Sequence, residues 1–147
     1  MAIAGAVGLA LHRPWLFPSL GPTVMLFFDS PEHPTARPRN TILGHAVGIV
    51  VGYGCLAGFG LVGHLPAPVA GLAPRYVAAG AVSVALTTLL LRVLRCPHPP
   101  AGATTLIVSL GILATPRALA AMFAAVLLIT AVGLGANRLR GVRRAPA

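Results

Sequence analysis

Pro97-His98-Pro99-Pro100 stops any helix that reaches it, and it stands between two apolar runs. Proline has no backbone N–H and disfavours helical backbone in the residue before it. The run that follows, Gly102–Thr115, therefore has to begin as a new helix. Its first N–H groups lack partners within the helix, and the positive end of its dipole lies there. In water such an end is ordinary. In a bilayer it is a candidate anion site.

Composition places these runs in a bilayer. Hydrophobic residues make up 56% of the 147 and charged residues only 9%, where a soluble domain carries about a quarter charged residues. Mean hydropathy is +0.87. The basic residues are 11 arginines, set against Asp29 and Glu32 as the only acids. A net charge of +9 would point to nucleic acid in a soluble protein. Here the arginines punctuate the ends of apolar runs, which fits snorkelling and anchoring at a bilayer surface. The expected partner is therefore lipid, with no nucleic acid. Met1–Leu11 lacks a basic flank and a cleavage site, so no removed signal peptide is expected. Arginine in place of lysine, with abundant Ala, Gly and Pro, fits a bacterial inner-membrane protein.

Six apolar runs follow one another: Met1–Leu11, Trp15–Phe28, Ile42–Gly63, Tyr76–Leu91, Gly102–Thr115 and Ala118–Ala136. A bilayer core of about 30 Å takes about 20 helical residues. The expectation is an all-α polytopic transmembrane helical bundle in one membrane domain, 1–147. It has four full spans, the first short or begun part-way, and two short Pro/Gly-broken segments. Residues 137–147 form a basic cytoplasmic tail.

The two halves, 1–63 and 76–136, read alike. Pro18-x-x-Gly21-x-Thr23 in one matches Pro99-x-x-Gly102-x-Thr104 in the other, 81 residues on. Short, Gly/Pro-interrupted segments at corresponding places in two halves point to a transporter's binding site. If all six runs cross, eight arginines (37, 39, 92, 95, 138, 140, 143 and 144) share one side and Arg13, Arg75 and Arg117 the other. That bias favours six passes, inverted halves and cytoplasmic termini.

The candidate substrate-binding residues follow from these breaks. His98 cannot lie within a helix, and histidine is the side chain whose unperturbed pKa, about 6.5, suits it to contact a ligand or sense a proton. Pro99 and Pro100 fix the backbone beside it. Gly102 allows close backbone approach, and Thr104 adds a hydroxyl. Gly21 and Thr23 are the first-half counterparts. Asn40 and His45 open the third run, where an ionisable residue at membrane depth is a functional candidate. The Gly44/Gly48, Gly48/Gly52 and Gly54/Gly58 spacings read as helix packing. Cys55 and Cys96 have no metal-ligand spacing, so no metal or cofactor is expected. No apolar run holds a carboxylate, and no nucleophile–base pattern or phosphate loop is present. An enzyme is not expected.

These residues also form a recognisable series. His98-Pro99-Pro100-Ala101-Gly102-Ala103-Thr104, Leu20-Gly21-Pro22-Thr23, Pro31-Glu32-x-Pro34 and Pro38-Arg39-Asn40 with Gly44-His45 resemble the motifs of the HPP family of integral membrane proteins. The resemblance covers about residues 15–136. Arg37 stands where that family commonly has Gln, and Ala101 where it usually has a second Gly. The resemblance implies a bundle usually described with four transmembrane helices, and a link to nitrite transport in some members. The expected function is transport of a small inorganic anion, nitrite foremost, with a homo-oligomer to complete the pathway. The alternative is a non-transporting membrane sensor or assembly module.

Overall fold

The computed structural model describes residues 1–142, so Arg143, Arg144 and the last part of the expected tail lie outside the described residues. Among the described residues the chain is helical throughout, with no strand. Its elements are α1 (Ala2–Ala10), α2 (Leu20–Asp29), a 3-10 turn (Pro34–Ala36), α3 (Pro38–Gly58), α4 (Ala67–Ala70), α5 (Pro74–Val93), α6 (Pro100–Ser109) and α7 (Pro116–Leu139).

Proline sets most of the starts. Pro38, Pro74, Pro100 and Pro116 each sit in the first turn of a helix, where a missing N–H costs nothing. Consequently α3 begins four residues before the expected Ile42, and α6 two before Gly102. Single turns in left-handed backbone end the helices. Gly60 (φ +66°) follows α3, and Arg95 (φ +50°) follows α5. At Arg95 the turn is closed by Cys96 N–H to the Leu91 carbonyl and Arg95 N–H to that of Arg92, a Schellman arrangement.

Among the described residues three helices, α3, α5 and α7, are long and apolar enough to cross a membrane, against the four full spans expected. The missing one is Met1–Leu11, whose helix has nine residues, about 14 Å. The expected tail also starts later, because α7 continues to Leu139. There Asn137 Nδ2 donates to the Phe27 carbonyl at 2.8 Å and ties the last turn to α2. Large apolar side chains such as Val50, Leu89, Val93 and Leu127 are exposed on the outer faces of these helices, the surface that lipid would cover.

Glycine decides how the helices meet. A Cβ on Gly44 would lie 2.8 Å from His98 Cβ, one on Gly48 2.8 Å from the Ala101 carbonyl, and one on Gly52 2.8 Å from the Thr105 carbonyl. The partners advance with the glycines, so α6 runs parallel to α3 along a seam that only hydrogen side chains permit. Gly133 of α7 plays the same part for α2, since a Cβ there would meet the Phe27 ring at 2.7 Å. Gly54 and Gly58, read as a further packing pair, face open space. A polar ladder joins α5 to α6, with Ser83 Oγ 3.0 Å from Ser109 Oγ and Thr87 Oγ1 2.9 Å from Thr105 Oγ1. As residue numbers rise on one helix they fall on the other, so α5 and α6 are antiparallel.

The ends of the bundle can be told apart. At one end Arg37, Arg39, Arg95, Pro97 and Asn137 line one cavity. At the other, Ala67 N–H donates to the Leu110 carbonyl at 3.0 Å, and Tyr76 OH donates to the Leu65 carbonyl. The segment from Arg95 through α6 thus runs from one end to the other, although α6 has only ten residues. The non-helical residues 96–98 before it complete the distance.

Candidate functional site

Four side chains named from the sequence converge in the interior. His45 comes from the second turn of α3, Thr23 from the first turn of α2, Thr104 from the second turn of α6, and His98 from the proline break before α6. All four are buried, none more than 2% exposed. His45 Nδ1 lies 2.7 Å from Thr104 Oγ1, and His45 Nε2 lies 2.9 Å from Thr23 Oγ1. The two imidazoles meet edge to face, Nε2 to Nε2, at 3.2 Å. His98 Nδ1 lies 2.9 Å from the Thr35 carbonyl in the 3-10 turn.

Local sequence explains the placement. Pro97 and Pro99 hold His98 off any helix, so its ring hangs beneath the 3-10 turn. Gly44, without a side chain, makes room for that ring against α3. The turn itself is fixed by Asn40, whose Nδ2 donates to the Pro34 carbonyl at 2.8 Å. Asn40 therefore positions the site from its rim and does not join the cluster.

The glycines behave otherwise than expected. Gly21 N–H donates to the Pro18 carbonyl at 3.3 Å, and Gly102 N–H to the Pro99 carbonyl at 3.0 Å. The residues before each helix already have helical backbone, at Ser19 (φ −67°, ψ −17°) and Pro99 (φ −53°, ψ −34°). A turn leading into the helix thus supplies acceptors for these amides. The site's chemistry is consequently imidazole and hydroxyl, not a cradle of bare amides. Pro100 is buried at the start of α6, while Pro99 and Gly102 border a groove of about 550 Å³ against α5 that reaches His98.

At the end of the bundle where Asn40 and Pro97 lie, a cavity of about 720 Å³ has a wall that includes Arg37, Arg39, Arg95 and Glu32. Three guanidinium groups line this cavity to one carboxylate. Among the described residues no grouping of His, Cys, Asp and Glu is arranged to hold a metal ion.

The transmembrane-region model of the HPP family matches residues 1–146. The chain belongs to the HPP family. Among curated proteins, a transmembrane protein of Dictyostelium discoideum is 30% identical over 97 residues. That match takes in 66% of this chain, and the chain spans 30% of that relative's length. No solved structure matches. The His-Pro-Pro triplet of this HPP protein is thus where a buried histidine is delivered to a second histidine across the bundle.

Sequence reasoning missed Thr35, Ser19, Arg95 and the Ser83/Thr87–Thr105/Ser109 ladder. The ladder carried a signal. Hydroxyl residues four apart on each of two neighbouring apolar helices present matching rows. Thr35 left none, because it contributes a carbonyl. Ser19 contributes one too, accepting from Thr23 Oγ1 at 3.1 Å.

Proposed function

We propose that this HPP protein carries a small inorganic anion, nitrite foremost, across the membrane and is not an enzyme. The observation that supports this reading is the His45–His98 pair. It lies buried where two broken segments meet, with His98 next in sequence to Pro97, which lines a cavity together with Arg37, Arg39 and Arg95. Ionisable side chains inside a membrane bundle are costly and are found on substrate pathways. An anion drawn in by Arg37, Arg39 and Arg95 enters the cluster by replacing the contacts that Thr23, His45 and His98 make with one another.

In this reading the chain passes six times, with α2 and α6 each completed by the non-helical backbone before it, which at that depth has to be buried in protein or line a wet cavity. The halves are inverted repeats in which α6 against α3 corresponds to α2 against α7, each pair sharing a glycine contact. The arginine-rich end is cytoplasmic, in a bacterial inner membrane, and copies associate in the bilayer. Uptake of nitrite, nitrate and chloride by proteoliposomes, compared with empty liposomes, tests the reading. Saturable uptake of at least one anion is expected. Uptake no greater than that of empty liposomes for all three would favour the non-transporting module.

A further inference from the structure

The hydrogen bonds of the cluster fix where its protons lie. A carbonyl only accepts, so His98 Nδ1 carries the hydrogen that bonds Thr35. In a neutral ring His98 Nε2 is then bare and accepts from His45 Nε2–H at 3.2 Å. His45 Nδ1 is bare in turn and accepts the Thr104 hydroxyl at 2.7 Å. Thr23 donates its hydroxyl hydrogen to the Ser19 carbonyl at 3.1 Å and offers its lone pair to His45 Nε2–H. One neutral tautomer for each ring thus gives both ring N–H groups an acceptor, with the His45 Nε2–H shared between Thr23 Oγ1 and His98 Nε2.

A further proton has two bare nitrogens open to it, His45 Nδ1, where the Thr104 hydroxyl would have to turn and accept, and His98 Nε2. On His98 Nε2, the nitrogen beside the second ring, it would set two N–H groups against each other across 3.2 Å and leave both needing an acceptor. Thr23 Oγ1, 3.5 Å from His98 Nε2, already serves His45. The added charge also lacks a partner. The chain's only carboxylates, Asp29 and Glu32, are exposed. Around the rings α2 presents Thr23, the 3-10 turn the Thr35 carbonyl, and α6 Thr104. The charged groups at the rim, Arg37, Arg39 and Arg95, are positive. An uncompensated charge at this depth is prohibitive. A monovalent oxyanion supplies both missing things, an acceptor oxygen between two N–H groups and a counter-charge.

Resting on the transport reading, we propose that the His45–His98 pair takes up one proton together with each monovalent anion, so that the loaded site is electrically neutral. The proton bonds His98 Nε2, the His45–His98 hydrogen bond breaks, and both Nε2–H groups donate to the anion. No covalent bond forms, and the proton leaves with the anion or returns to solvent when the anion departs.

Calorimetric titration of nitrite into the purified full chain in nanodiscs, in two buffers of different ionisation enthalpy, counts protons taken up per anion bound. About one proton per nitrite is expected at pH 7, where free nitrite is itself unprotonated. His98→Gln should abolish the proton uptake, whereas His64→Gln, which removes an exposed imidazole in the loop after α3, should leave it. Binding of nitrite with no proton uptake in the wild-type chain would overturn the coupling and leave the anion site standing. No binding of nitrite, nitrate or chloride would overturn the transport reading and the coupling with it.

Discussion

His45 Nε2 stands 3.2 Å from His98 Nε2, although 53 residues of chain separate them. That contact joins α3 to the proline break before α6, and the rest of the site is arranged around it. Thr104 orients one ring and Thr35 the other, from opposite sides.

Thr104→Val removes the hydroxyl that His45 Nδ1 accepts, leaving a buried acceptor bare in a side chain of nearly the same shape. A loss of about 1–3 kcal/mol is expected, together with a fall in anion uptake, while Thr104→Ser keeps both close to wild type. Thermal unfolding in detergent and uptake at equal incorporation check this. Equal behaviour of the Val and Ser variants would show that the hydroxyl is idle.

Gly48→Ala forces a methyl to within 2.8 Å of the Ala101 carbonyl and 2.9 Å of Thr105 Oγ1. The carbonyl is backbone and cannot turn away, and the Thr105 hydroxyl is held by Thr87 and by the Ala101 carbonyl. Overpacking of this kind costs about 1–3 kcal/mol, and displacing α6 would also part His45 from Thr104. Gly54→Ala, with nothing within 4 Å, should be neutral or slightly stabilising. Melting temperatures of the two variants, measured side by side, separate a packed seam from a loose one.

Arg95 holds a left-handed backbone (φ +50°) that glycine adopts without penalty. Arg95→Gly should therefore raise stability by up to about 1 kcal/mol yet weaken anion capture, because one of three cations leaves the mouth. The expected signature is a higher KM for uptake with little change in maximal rate. A variant that is more stable with unchanged KM would remove Arg95 from the pathway.

Cys96 is fully buried and points its thiol at the Asn40 carbonyl, 3.6 Å away. In this arrangement thiol reagents should modify it slowly, whether or not they cross membranes. Modification that accelerates when anion is present would report opening of the break beside His98. Fast labelling in its absence would contradict the packing described for residues 95–100.

Much of the fold was legible because proline and arginine mark the chain's boundaries. Pro38, Pro74 and Pro116 open α3, α5 and α7, and the sequence places apolar runs within a few residues of each. Four of the site residues, His45, His98, Thr23 and Thr104, were legible as chemical types in odd places. Their meeting was not, since His45 and Thr104 are 59 residues apart and nothing local in either segment names the other. Gly21 and Gly102 misled for a different reason. A helix start seen in sequence implies bare amides, but Ser19 and Pro99 take helical backbone, and the carbonyls of Pro18 and Pro99 cap the two glycine amides. One-residue differences in backbone conformation ahead of a helix leave little trace in composition. The polar ladder between α5 and α6 was visible only as spacing, without a sign of which helix it would face.

The central claim is that the buried histidine pair handles the anion. The most direct test is the initial rate of nitrite uptake into proteoliposomes by the wild-type chain and by His98→Ala at equal incorporation, with folding of both checked by their helical circular dichroism. Saturable uptake by the wild type, lost in the variant, is the expected result. Equal saturable uptake by both would contradict it.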